Sequence, residues 1–356
     1  MRRVLEPTAL LVVLALLWAG ATPAGADSQF WGVVDGSAHL GQREWATMAH
    51  GGVGSVRRSI FWYEVEGTKG TFNWSAPDHV IGEAASHGMS VLPALYGTPR
   101  YAGKTPATPP LGSDAARNEW RDFLQRAVQR YGPGGDYWTD PALYATQYPG
   151  AQPLPIHYWQ IWNEPNLPSG FQPRPSAKRY AKLLRISHDA ILGQDPGAKI
   201  VLAGMPGLSE IRGWRFLNRI YEIKGMKRYF DVVAVNPYSR DIRGFTLSIR
   251  RMRKTMKGHR DGSIPLWITE IGWGSAHPDG GLNVGLKGQK RLLKEAFGVA
   301  RHNRKQWHLG RLYWFEWRDP AAKTAPSGCP WCGHAGLFRH NRKPKPAWQA
   351  YKQFAR

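Results

Sequence analysis

Two glutamates in matched settings are the residues of this sequence best placed to do chemistry. Glu164 closes an aromatic and β-branched run containing Tyr158, Trp159, Ile161 and Trp162, and it is flanked by Asn163, Pro165 and Asn166. Glu270 closes a second apolar run, Ile264, Leu266, Trp267 and Ile268, and is followed by Gly272 and Trp273. Both runs have the make-up of buried strands. Pro165 cannot donate to a sheet ladder, so the first strand must stop there and leave Asn163 and Glu164 at a rim. Alone, Asn-Glu-Pro-Asn reads as a turn with a solvated glutamate; a second strand ending in a carboxylate makes the pair specific. Hydrolysis of a glycosidic bond takes two facing carboxyl groups, one as acid and the other as nucleophile or base.

A scaffold that serves both groups must bring its strand ends to one face. Strand patterns fall at 30–34, 53–61, 90–96, 158–162, 199–203, 230–238, 264–270 and 311–315, and helical patterns follow each of them. The clearest helices are 114–131, with Trp120, Phe123, Leu124 and Val128 on one face, and the seam of Phe245, Ile249, Met252 and Met256. Eight β-then-α steps, with no internal repeat and no linker, predict one α/β domain, a (β/α)8 TIM barrel with long rim loops and its active site at the carboxyl ends of the strands. The segment 132–155, rich in Tyr and Trp, is expected to shape one side of the site.

In this order the two motifs resemble those of the clan A glycoside hydrolases, whose Asn-Glu closes the fourth strand and whose nucleophilic glutamate closes the seventh. Trp162-Asn163-Glu164-Pro165-Asn166 and Thr269-Glu270-Ile271-Gly272-Trp273 look most like glycoside hydrolase family 39 and its family 5-like neighbours. The resemblance implies a retaining hydrolase with Glu164 as acid and base and Glu270 as nucleophile. It also implies that Arg57, rather than Arg58, reaches the nucleophile from the second strand, that Tyr238 bonds it from beyond the sixth, and that Asn163 binds the sugar hydroxyl beside the anomeric carbon. A tryptophan at the end of the eighth strand would floor the sugar site. Trp314 is the first choice and Trp317 the second, because alternation does not say which faces inward. Trp273 joins them as a substrate-binding candidate, and Glu316 is a third carboxylate near the rim.

Composition bounds the setting. Arg2 and Arg3 precede an apolar stretch, 9–19, too short to span a bilayer, and Ala24-Gly25-Ala26 forms a cleavage signature before Asp27. Residues 1–26 are therefore expected to be an export leader and 27–356 the catalytic domain of a secreted protein without stable membrane insertion. Aromatic residues make up 12% of the chain, including 17 Trp, more than a core needs and suited to sugar faces. The net charge is +22, and loss of Arg2, Arg3 and Glu6 with the leader leaves +21, a balance that favours anionic partners, an acidic polysaccharide among them. Nucleic-acid motifs are absent. Cys329 and Cys332, the only cysteines, are expected to form a local disulfide, since exported proteins keep such bonds oxidised. The pattern calls for no metal and no cofactor, and for a monomer acting on an oligo- or polysaccharide. Two other classes use the same features: a transglycosylase that remodels envelope glycan, told apart by products longer than the substrate, and a non-catalytic cationic glycan-binding protein, against which the two glutamates argue.

Overall fold

The computed structural model describes residues 29–36, 40–322 and 328–356, and the leader expected at 1–26 lies outside the described residues. The strands are β1 (Trp31–Asp35), β2 (Ser55–Phe61), β3 (Ser90–Tyr96), β4 (Tyr158–Ile161), β5 (Lys199–Leu202), β6 (Met205–Pro206), β7 (Val233–Asn236), β8 (Leu266–Ile271) and β9 (Leu309–Trp314). All pair in parallel, in the order β5-β4-β3-β2-β1-β9-β8-β7-β6. The ring closes where Val201 bridges Val232 in parallel and the Leu202 N–H donates to the Val232 carbonyl at 2.9 Å. The two-residue β6 is a short addition beside β7, so the expected sixth, seventh and eighth strands are β7, β8 and β9.

Around the ring lie the longer helices α1 (Gln42–His50), α2 (Ser75–Ser86), α3 (Asp114–Tyr131), α4 (Ala177–Leu192), α5 (Gly213–Tyr221), α6 (Ile242–Gly258), α7 (Gly285–His302) and α8 (Pro346–Ala355). Their starts follow the chemistry of their first residues. Ser113, Ser176 and Asp241 accept the backbone N–H of Ala116, Arg179 and Gly244, respectively, relieving donors that the first turn leaves unpaired. Strand alternation sorts the core into two layers. Val34, Leu92, Val201, Val232, Ala234, Trp267 and Tyr313 fill the barrel, while residues of opposite phase, such as Trp159, Ile161, Ile268, Leu312 and Trp314, pack outward against the helices. None of the described helices is long and apolar enough to cross a membrane.

Segment 132–155 departs from expectation. It carries two single-turn helices, Asp136–Thr139 and Tyr144–Gln147, and its rings turn toward the barrel flank. Tyr137 is buried, meets Tyr131 of α3 edge-on at 5.5 Å and donates its hydroxyl to the Asp78 carbonyl of α2 at 2.8 Å. Burial of so much aromatic surface against α2 and α3 outweighs exposure at the rim. The segment buttresses the barrel and does not wall the site.

Candidate active site

The end of β4 is bent to present its polar residues. Trp162 and Glu164 both adopt left-handed backbone conformations, with φ of 72° and 48°, which side chains other than glycine rarely take and which surrounding structure must hold. That hold is visible. The Trp162 N–H donates to the Leu95 carbonyl, its indole N–H to the Gly170 carbonyl at 2.8 Å, and the Glu164 N–H to the Gly204 carbonyl at 3.1 Å. A Cβ on Gly204 would collide with Asn236 and Thr269, so only glycine lets these groups approach. Asn236 uses that space: it accepts from the Thr269 hydroxyl at 2.8 Å and donates to Glu164 Oε1 at 3.0 Å.

Glu270 sits near the end of β8, where the pairing with β9 shifts register between Ile268 and Ile271. Its two oxygens have separate partners. Arg57 Nη1 donates to Oε1 at 2.6 Å, and the Tyr238 hydroxyl donates to Oε2 at 2.8 Å. Arg57, 1% exposed, is itself spread across the floor. Its Nε donates to Gln160 Oε1 at 2.6 Å and its Nη2 to Asn163 Oδ1 at 3.0 Å. Arg58 points elsewhere and pairs with Asp35 at 3.0 Å.

The two glutamates stand in different electrostatic surroundings. Burial pushes the Glu164 carboxyl up to about 8, and the negative charge of Glu270 adds to the effect; the Asn236 hydrogen bond and the Arg57 charge pull the other way without overcoming it. Burial and the Glu270 charge likewise raise the Tyr238 hydroxyl well above its ordinary range, so it remains a proton donor. Glu316, 4% exposed, also lines the cleft. Its carboxyl is raised well above the usual range by burial first and then by the charges of Asp319 and Asp35, against the opposing Lys345.

These residues line a cleft of about 630 Å³. Arg57, Asn163, Glu164, Tyr238 and Glu270 come together there, as the sequence predicts. The three tryptophans do not. Trp314 faces outward on β9, donates its indole N–H to Ala335 and packs against Phe297 of α7. Trp273 bonds the Ser239 carbonyl and packs on Trp314, and Trp317 bonds Glu44 and packs among Phe338 and Trp348. Alternation along β9 turns Tyr313 and Phe315 inward and leaves Trp314 in the outer layer. An indole does line the cleft, but it comes from the turn closed by the Cys329–Cys332 disulfide. Trp331 meets Tyr238 at 4.9 Å and Phe315 at 5.6 Å between ring centres. Sequence reasoning also missed Gln160 and Asn236; a polar residue inside each of two apolar strands was the available signal.

Comparison with known proteins fits this geometry. A family model described as glycosyl hydrolase catalytic core matches residues 137–327, more than half of the chain. No curated protein sequence matches. Among solved structures, the chain is similar to a family 39 glycoside hydrolase from Bacteroides cellulosilyticus WH2, with TM-score 0.66 and 16% identity over 92% of this chain and 64% of that one. A monomeric β-xylosidase from Caulobacter crescentus CB15 gives 0.64 and 17%, over 91% and 67%. Xylanase 10B from Thermotoga maritima gives 0.59 and 16%, over 93% and 95%. The chain thus spans under two thirds of the length of the Bacteroides protein, and at these identities the likenesses speak for the barrel fold. The family match goes further: the chain belongs to the family described as glycosyl hydrolase catalytic core.

Proposed function

We propose that the protein is an exported retaining glycosidase that cleaves β-linked O-glycosidic bonds of an oligo- or polysaccharide by double displacement. Glu270 attacks the anomeric carbon while Glu164 gives its proton to the departing oxygen, so that one bond forms as the other breaks. Water then attacks the same carbon, passes a proton to Glu164 and frees the Glu270 carboxylate. The single observation that carries this reading is the division of surroundings between the two groups. Glu164 is pushed up to about 8, where it can hold a proton to donate; Glu270 receives a guanidinium on one oxygen and a hydroxyl on the other, the partners of a carboxylate. Asn163, fixed by Arg57, is the group for the hydroxyl beside the anomeric carbon. Trp331 and Phe315 supply flat apolar walls for the ring. The similar β-xylosidase and xylanase make xylose-based glycans sensible members of a first panel.

The test is reducing-end release from neutral and acidic glycans by the purified protein, with Glu270→Ala and Glu164→Ala run beside it. Release that falls by at least about a thousandfold in Glu270→Ala is the expected result. Absence of release from every glycan, with binding retained by all three proteins, would overturn the reading in favour of a glycan-binding protein.

A further inference from the structure

The catalytic cleft continues past its rim. A groove of about 580 Å³ runs over the start of α6 and shares Leu208, Tyr238 and Leu282 with the cleft, so one ligand can occupy both. The two spaces differ in charge. Among the described residues, the charged groups lining the cleft are Arg57, Glu164, Glu270 and Glu316, and the one cation of that set is already bonded to Glu270, Gln160 and Asn163. Among the described residues an anionic sugar placed there would meet carboxyl groups and no free cation. The adjoining groove carries Arg240 and Arg243, both exposed and neither in an ion pair among the described residues, with Asp241 between them. Asp241 is occupied as the cap of α6, accepting from the Gly244 N–H at 2.9 Å.

Resting on the glycosidase reading, we propose that the substrate is a polysaccharide with uronic-acid units near a neutral sugar, and that Arg240 and Arg243 bind the carboxylates beside the cleavage position. A guanidinium fork matches a carboxylate with two parallel hydrogen bonds. With Asp241 between the two arginines the local charge is modest, which suits a singly charged carboxylate better than a doubly charged phosphate. The exposed stripe of α6 extends the same field. Arg243, Leu247 and Arg250 follow one another at helical spacing, opposite the buried Phe245, Ile249, Met252 and Met256. Leu247, one of two large apolar residues that stand exposed among the described residues, gives the stripe an apolar spot on which a sugar ring can rest.

A second basic groove provides the control. It lies between α5 and α6, is lined by Arg215, Arg219, Arg251 and Lys254, and shares no lining residue with the cleft. The experiment compares wild type, Arg240→Glu/Arg243→Glu and Arg215→Glu/Arg219→Glu on a neutral, a uronic-acid-containing and a sulfated polysaccharide, with thermal unfolding to show that each variant is folded. The proposal expects wild type to favour the uronic-acid polymer and to lose that preference as salt rises. It expects the Arg240/Arg243 variant to raise KM on that polymer about tenfold, lowering the acidic-to-neutral ratio of kcat/KM equally, while the Arg215/Arg219 variant behaves as wild type. Equal losses in both variants, no loss in the first, or preference for the sulfated polymer would overturn it. Cleavage of the neutral polymer alone overturns this proposal and leaves the glycosidase reading standing; absence of cleavage on all three polymers overturns that reading as well.

Discussion

Glu164 and Glu270 are chemically identical side chains in one cleft, and their neighbours give them different surroundings. For Glu164 the largest influence is burial, followed by the charge of Glu270, and together they push its carboxyl up to about 8. A general acid must carry its proton, so kcat/KM should fall as pH rises through about 8, and this limb should disappear in Glu164→Gln. A sharper check removes the second influence. In Glu270→Gln the negative charge is gone, and the Glu164 carboxyl should titrate at lower pH than in wild type, read by carbon NMR of labelled glutamate. An unchanged titration would mean that the two groups do not sense each other. Much of this site was legible in the sequence, because a carboxylate at an abrupt strand end, an arginine within a strand and a tyrosine just past one each have few roles inside a barrel. Gln160 and Asn236 were missed, since their value lies in hydrogen bonds to Arg57 and Glu164 that only the closed ring reveals.

At the scale of elements, one residue of phase decided where the tryptophans went. On β9 and at the residue just past it, Tyr313 and Phe315 face in and Trp314 faces out, a choice set by the alternation of the strand and not by residue type. The aromatic wall comes instead from a short turn pinned by Cys329 and Cys332. Trp331→Ala should therefore raise KM by about three- to tenfold, the worth of one aromatic contact, with little change in melting temperature. Trp314→Ala should do the reverse, costing about 3–5 kcal/mol of stability through the cavity it leaves. Melting curves and KM values for both variants check the assignment; a KM effect confined to Trp314→Ala would contradict it. The 132–155 segment teaches the same lesson. Its aromatic composition signalled a large buried contact, but the surface it covers, the flank of α2 and α3, was not written in its own residues.

For the whole molecule, the eight strand-then-helix steps were readable because each spacing is that of a barrel unit and each helix carries one apolar face. The brief β6 was not, since two residues make no pattern. The fold also stores an electrostatic strain that stability should report. Glu164, Glu316 and Asp319 all have carboxyl groups raised by burial, so between the usual carboxylate range and about pH 8 the native state holds more protons than the unfolded chain. Stability should then be greatest toward the acid end of that window and decline as pH rises through it. Glu316→Gln should flatten the decline, as followed by melting temperature between pH 5 and pH 8 on a constant-ionic-strength scale. The central claim, that Glu270 forms a covalent link to the sugar and Glu164 serves both halves of the reaction, has one most direct test. Proton NMR of the reaction on the most active glycan, started at high enzyme concentration, identifies the anomer released first. The account predicts the configuration of the substrate, retained; an inverted first product would contradict it.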